Sequence, residues 1–108
     1  MGVYYHARSE SGLQRAMASG KLQASFDGLV YLCDKSEDAL KFVALRCYGD
    51  PNAKVYVFKV ELDDENVVET FDHSESFWKC RCYGHLGDID LDECLMAIYS
   101  YNPWGDAQ

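Results

Sequence analysis

The chain has 108 residues and a formal net charge of −8, from 18 acidic and 10 basic side chains, with 48% hydrophobic and 14% aromatic residues. That length suits a single domain spanning 1–108, and the composition is that of a chain with a core, not of a disordered tail. The acidic balance argues against broad nucleic-acid binding through a basic face, because phosphate neutralisation supplies most of that affinity, and against docking on an anionic membrane.

In chain order, Val3 to Arg8 is rich in Tyr and Val and predicts a short strand. Ser9 or Ser11 can cap a following helix that carries Leu13, Ala16 and Met17 on one stripe and stops at Gly20. Lys21 to Gly28 reads as a polar link with Phe26 as its one large apolar group. Leu29 to Cys33 is an apolar run expected to be a strand covered on both faces. Glu37 and Asp38 suit the start of a second helix. It places Ala39, Leu40, Phe42, Val43, Leu45 and Arg46 on one side and ends near Gly49. Asp50-Pro51-Asn52 predicts a turn.

Ala53 to Leu62 alternates well and is the clearest strand; an acidic turn, Asp63 to Asn66, follows. Val67 to Phe71 and Phe77 to Tyr83 read as strands and Gly84 to Asp90 as a loop. Leu91 to Ile98 reads as a short helical turn running into a last strand that ends at Tyr101. Trp104 is positioned to pin the tail to the body. Strands that run on after two early helices favour an α+β fold with both helices in the N-terminal half.

Several function classes drop out. No apolar run reaches the length of a membrane-spanning helix, and the N-terminus shows neither an export signal nor a complete myristoylation motif. The five cysteines, Cys33, Cys47, Cys80, Cys82 and Cys94, are odd in number, which fits reduced thiols in a cytoplasmic protein. Cys80-Arg81-Cys82 puts two side chains on one face of a strand, but buried apolar cysteines are the better reading than a metal pair, and no metal site is expected. Asp88, Asp90 and Asp92 fit the first calcium-loop positions, yet Glu93 stands where that loop needs Gly and Tyr99 where it needs Glu. His73 and His85 fall in polar loops, and His85 lies close enough in sequence to Asp88 to pair with it. Charge is uneven: residues 1–48 hold six basic and five acidic side chains, and residues 49–108 hold four and thirteen. An anionic ligand is therefore tolerated by the first half, and a basic-surfaced protein partner suits the second.

Three stretches carry a resemblance. They are Tyr5-His6-Ala7-Arg8-Ser9 with Gly12-Leu13 and Gly20-Lys21-Leu22; Val30-Tyr31-Leu32-Cys33-Asp34 with Glu37, Ala39 and Phe42; and Val55 to Leu62 with Gly87-Asp88-Ile89-Asp90 and Ile98. Together, over roughly residues 3–101, they resemble the ADP-ribosyltransferase-like proteins, which include bacterial DNA-targeting ADP-ribosyltransferase toxins and RNA 2′-phosphotransferases. The resemblance implies a compact split β-sheet core, NAD as cofactor, and transfer of ADP-ribose to a macromolecule. It implies that His6 orients a ribose and Tyr31 stacks on the nicotinamide, the two catalytic positions. Arg8, where the family usually has Thr or Ser, suits a pyrophosphate, and Ser9 is a further hydroxyl at the cofactor. The family's late-strand Glu falls near Arg81 or Cys82, where no acid stands; Glu75 is six residues earlier than Arg81. That departure supports an alternative of another class: a catalytically inactive, small acidic binding protein of the phage or mobile-element type, holding a nucleotide or a basic-surfaced partner.

Overall fold

The computed structural model describes residues 2–70 and 82–105. Strand β1, Gly2–Ser9, leads straight into helix α1, Glu10–Ser19. Ser9 caps α1 by accepting a hydrogen bond from the Gly12 amide, and Gly20 ends it with φ +74°, a left-handed conformation open to glycine at little cost. The short strand β2, Lys21–Leu22, and strand β3, Leu29–Cys33, precede helix α2, Ser36–Ala44, and a 3-10 turn, Leu45–Cys47. Strands β4, Val55–Leu62, and β5, Val67–Thr70, are joined by the 3-10 turn Asp64–Asn66. Then come β6, Cys82–Leu86, β7, Ile89–Asp90, the helical turn Leu91–Cys94 and β8, Leu95–Tyr101.

Among the described residues six strands form one sheet in the order β5-β6-β3-β1-β4-β8, and every neighbouring pair is antiparallel. β2 and β7 form a separate two-stranded ribbon. One face of the large sheet packs Val30, Leu32, Phe58, Val60 and Leu62 against Ala16 of α1, Leu22 and Ile89 of the ribbon, and Leu91. The other face packs Cys33 and Val57 against Ala39 of α2. β4 is thus covered on both sides, which is why Val55, Val57, Phe58, Val60 and Leu62 are all buried although the strand has a period of two.

The α+β class holds, and several local expectations are corrected. The link after Gly20 is not wholly polar: Leu22 is fully buried against the core, while Phe26 is fully exposed. A two-residue strand is too short to leave a periodic signal, and only pairing with Ile89 makes Leu22 a core residue. β3 is not covered on both faces, because Tyr31 is exposed. α2 stops at Ala44, and Leu45 leaves the apolar stripe for solvent. Gly84 to Leu86 is strand, not loop, since β6 is paired with β3 on one side and β5 on the other. The last helical turn ends at Cys94, and β8 starts at Leu95. The expected strand from Phe77 lies outside the described residues up to Arg81, as do His73, Glu75 and Cys80. Trp104 does pin the C-terminal segment: its indole N–H donates to the Ala44 carbonyl at 2.7 Å, and its ring meets Tyr48 edge-on.

Candidate functional site

β1 is paired along its whole length with β4 but meets β3 at a single rung, Tyr5 opposite Cys33. Beyond that rung the second half of β1 and the first half of β3 have no ladder between them, so the sheet is split. His6 bridges the split: its Nδ1 lies 2.6 Å from the carbonyl oxygen of Tyr31. A carbonyl only accepts, so Nδ1 carries the proton and donates it. That leaves Nε2 with its lone pair, and the Arg8 Nε–H donates to it at 2.9 Å. An Nη2 hydrogen of Arg8 donates onward to the Gln23 carbonyl at 3.1 Å. The chain of donors fixes one neutral tautomer of His6.

The electrostatics agree. Burial disfavours the charged ring and lowers the His6 pKa from 6.5 to about 4; the Tyr31 carbonyl pulls the other way, and the charges of Arg8 and Arg46 lower it further. Burial also lowers the Arg8 pKa, with a further contribution from Arg15. Gly12 makes room for this arginine, because a Cβ there would sit 3.0 Å from the Arg8 Cβ and 3.1 Å from its Cδ.

Around His6 opens a cleft of about 1180 Å³, bounded by β1, the start of α1, β3, the end of α2 and residues 50–54. Its charged lining is Arg8, Arg15, Arg46 and Lys54 against Glu10 and Asp50. A cationic excess here stands out on a chain of net charge −8. Arg15, Arg46 and Lys54 are exposed, and among the described residues their side chains make no hydrogen bond or ion pair. The guanidinium groups of Arg15 and Arg46 can each take two oxygens of a phosphate or carboxylate at once, and the Lys54 ammonium adds a point charge.

All four residues singled out from the sequence line this cleft: His6, Arg8, Ser9 and Tyr31. Each is also held by partners within the protein. Both ring nitrogens of His6 are engaged within the protein. The Tyr31 phenol donates to the Asp27 carboxylate, and this bond is the main reason the Asp27 pKa is lowered. Asp27 also accepts from the Leu29 amide at 3.1 Å, so the loop before β3 steadies the Tyr31 ring at its tip. Ser9 caps α1 and shares a hydrogen bond of 3.1 Å with Ser11.

His85 and Asp88 do not pair. The His85 Nδ1 donates to the Gly87 carbonyl at 2.8 Å, whereas Asp88 accepts from the Ala24 amide at 2.7 Å and meets Lys21 at 3.3 Å. Asp90 caps the last helical turn, accepting from the Asp92 amide at 2.9 Å. Among the described residues no group of three His, Cys, Asp or Glu side chains could hold a metal. β6 carries no carboxylate in its described length, Cys82–Leu86; Cys82 lines the cleft there. Sequence reasoning missed Arg15, Arg46, Lys54, Gln23 and Asp27. The near-neutral charge of residues 1–48 was the signal available for Arg15 and Arg46.

The fold and site define a small α+β domain with a split antiparallel sheet and a cationic cleft. No protein-family model matches the chain, and no curated protein matches its sequence. The chain is similar in structure to protein CC0527 from Caulobacter crescentus, with a TM-score of 0.61 and 16% identity over 91% of this chain and 84% of that one. A double mutant of CC0527 aligns with the same TM-score, identity and coverage. At this identity the likeness shows the fold alone. Among the described residues no helix is long and apolar enough to cross a membrane.

Proposed function

We propose that this chain binds a pyrophosphate-bearing nucleotide, NAD first among them, in the split between β1 and β3. The observation that carries the reading is the set of arginines, Arg8, Arg15 and Arg46, gathered around a neutral His6 on an otherwise acidic chain. The donor set fits the group: arginines for the phosphates, an exposed tyrosine ring for a flat heterocycle, and an imidazole for a ribose hydroxyl. The resemblance of the sequence to ADP-ribosyltransferase-like proteins supports the same ligand.

In this reading Arg8 releases the His6 Nε2 and turns its guanidinium to the phosphates. Nε2, still held in its tautomer by the Tyr31 carbonyl, then accepts from a ribose hydroxyl. Tyr31, braced through Asp27, stacks on the nicotinamide. Bound NAD would supply an activated glycosidic bond with nicotinamide as its leaving group. The reading puts the chain in a cytoplasm, where thiols stay reduced. A second reading, nucleotide binding without transfer, is favoured by the lack of a carboxylate on the described part of β6. The acidic second half of the chain then suits a basic-surfaced protein partner.

Thermal unfolding with and without millimolar NAD, NADP or ADP-ribose tests the site, since a ligand that binds only the folded state raises the Tm. The expected result is a rise for the wild type that is lost in Arg8→Ala and reduced in Arg46→Ala. No rise with any of the three ligands overturns the proposal. Release of free nicotinamide then separates transfer or hydrolysis from binding alone.

A further inference from the structure

Cys33 on β3 and Cys82 on β6 are direct partners in an antiparallel ladder. Directly opposed residues project their side chains from the same face, with Cα atoms roughly 4.5–5.5 Å apart. That separation lies inside the span of about 4.4–6.8 Å that a disulfide bridges without moving the backbone. Both residues are thiols in the structure and both are buried, at 3% and 4% exposure. Both also line the cleft, which gives a small oxidant a path to them. Cys33 has a further position of note: it is the β3 residue opposite Tyr5, at the one rung that joins β1 to β3. The pair therefore sits at the apex of the split.

The other described thiols stand in different settings. Cys47 points back into its own turn, near the Val43 and Ala44 carbonyls at 3.6 and 3.3 Å. Burial and the acids Glu93 and Asp90 raise the Cys94 pKa, which leaves little reactive thiolate. Neither is a ladder partner of another cysteine.

We propose that Cys33 and Cys82 are a redox modification site that closes to a reversible cross-strand disulfide under a peroxide. One thiol loses its proton and its sulfur attacks the O–O bond of hydrogen peroxide, which gives a sulfenic acid and one water. The second thiolate attacks that sulfur, the S–S bond forms, and the hydroxyl leaves as a second water. Both sulfurs are oxidised and the peroxide is reduced, so two thiols and one peroxide become one disulfide and two waters. The bond ties β3 to β6 where the two halves of the sheet meet. The proposal stands apart from the nucleotide reading, since it needs only the register of the two strands.

The full chain treated with hydrogen peroxide, then alkylated and mapped with trypsin, tests it. Cleavage at Lys21, Lys35 and Arg81 places Cys33, Cys80 and Cys82 on separate peptides. The expected product has lost two hydrogens, joins the Cys33 peptide to the Cys82 peptide, and returns to the thiol form with dithiothreitol. The cross-link persists in Cys80→Ser, disappears in Cys33→Ser and in Cys82→Ser, and raises the Tm of the wild type. Three results overturn the proposal: a disulfide that involves Cys80 or Cys94, oxidation of either cysteine to sulfinic acid with no cross-link, or full alkylation of both thiols after peroxide. Cys82 shares its tryptic peptide, 82–108, with Cys94, so fragment ions that place the link on one or the other decide the outcome in the wild-type chain even where a serine variant folds poorly.

Discussion

The assignment of His6 as a neutral, doubly hydrogen-bonded ring makes stability depend on pH in a defined window. Its pKa is about 4 in the folded chain against 6.5 for an exposed histidine. The folded value is the lower one, so the unfolded chain takes up the proton first. The contribution is complete above pH 6.5, falls as the pH drops from 6.5 towards 4, and levels off below that. Each pH unit in this range is worth about 1.4 kcal/mol, so about 2 kcal/mol disappears between pH 6.5 and 5 and about 3 kcal/mol over the whole range. For a domain of this size a loss of about 2 kcal/mol lowers the Tm by roughly 8–16 °C. The window above about pH 5 is the useful one, because carboxylates held low, such as Asp27 and Asp88, add their own acid loss further down. The assay is thermal unfolding by circular dichroism at fixed ionic strength, for the wild type and for His6→Asn. The asparagine amide donates to the Tyr31 carbonyl but does not titrate. At neutral pH it costs about 1 kcal/mol, for the weakened link to Arg8. Its Tm should then change little between pH 6.5 and 5 while that of the wild type falls. Equal slopes for the two chains would refute the tautomer and the bridge together.

Two further outcomes follow from the packing. Leu22→Ala should cost about 2–5 kcal/mol, as for other fully buried leucines, whereas Phe26→Ala should stay within about 0.5 kcal/mol; urea unfolding of both variants checks the contrast. Trp104→Phe keeps a ring against Tyr48 but loses the donor to the Ala44 carbonyl, so it should cost roughly 1–3 kcal/mol in the same assay.

Much of the fold could be read from residue order, because its cues are local. Ser9 before a short amphipathic run and Gly20 after it mark α1 at both ends. The alternation from Val55 to Leu62 marks β4. The residues that escaped are those whose role depends on a distant neighbour. Leu22 belongs to the core only because Ile89 pairs with it, and Leu86 belongs to a strand only because β6 has partners on both sides. Ser9, by contrast, is legible locally: its side chain caps α1 and bonds Ser11.

The candidate site divides in the same way. Residue types and chain order brought His6, Arg8, Ser9 and Tyr31 forward, and the charge tally already showed that the first half of the chain escapes the acidity of the second. Arg15 and Arg46 join them only through folding, since they come from two helical segments on opposite faces of the sheet. The proton on His6 is likewise a tertiary decision. It is set by a carbonyl 25 residues away and by an arginine whose guanidinium reaches back to the ring. Local preference can specify a strand with a histidine in it. Only the single rung between β1 and β3 opens the gap that the histidine then bridges.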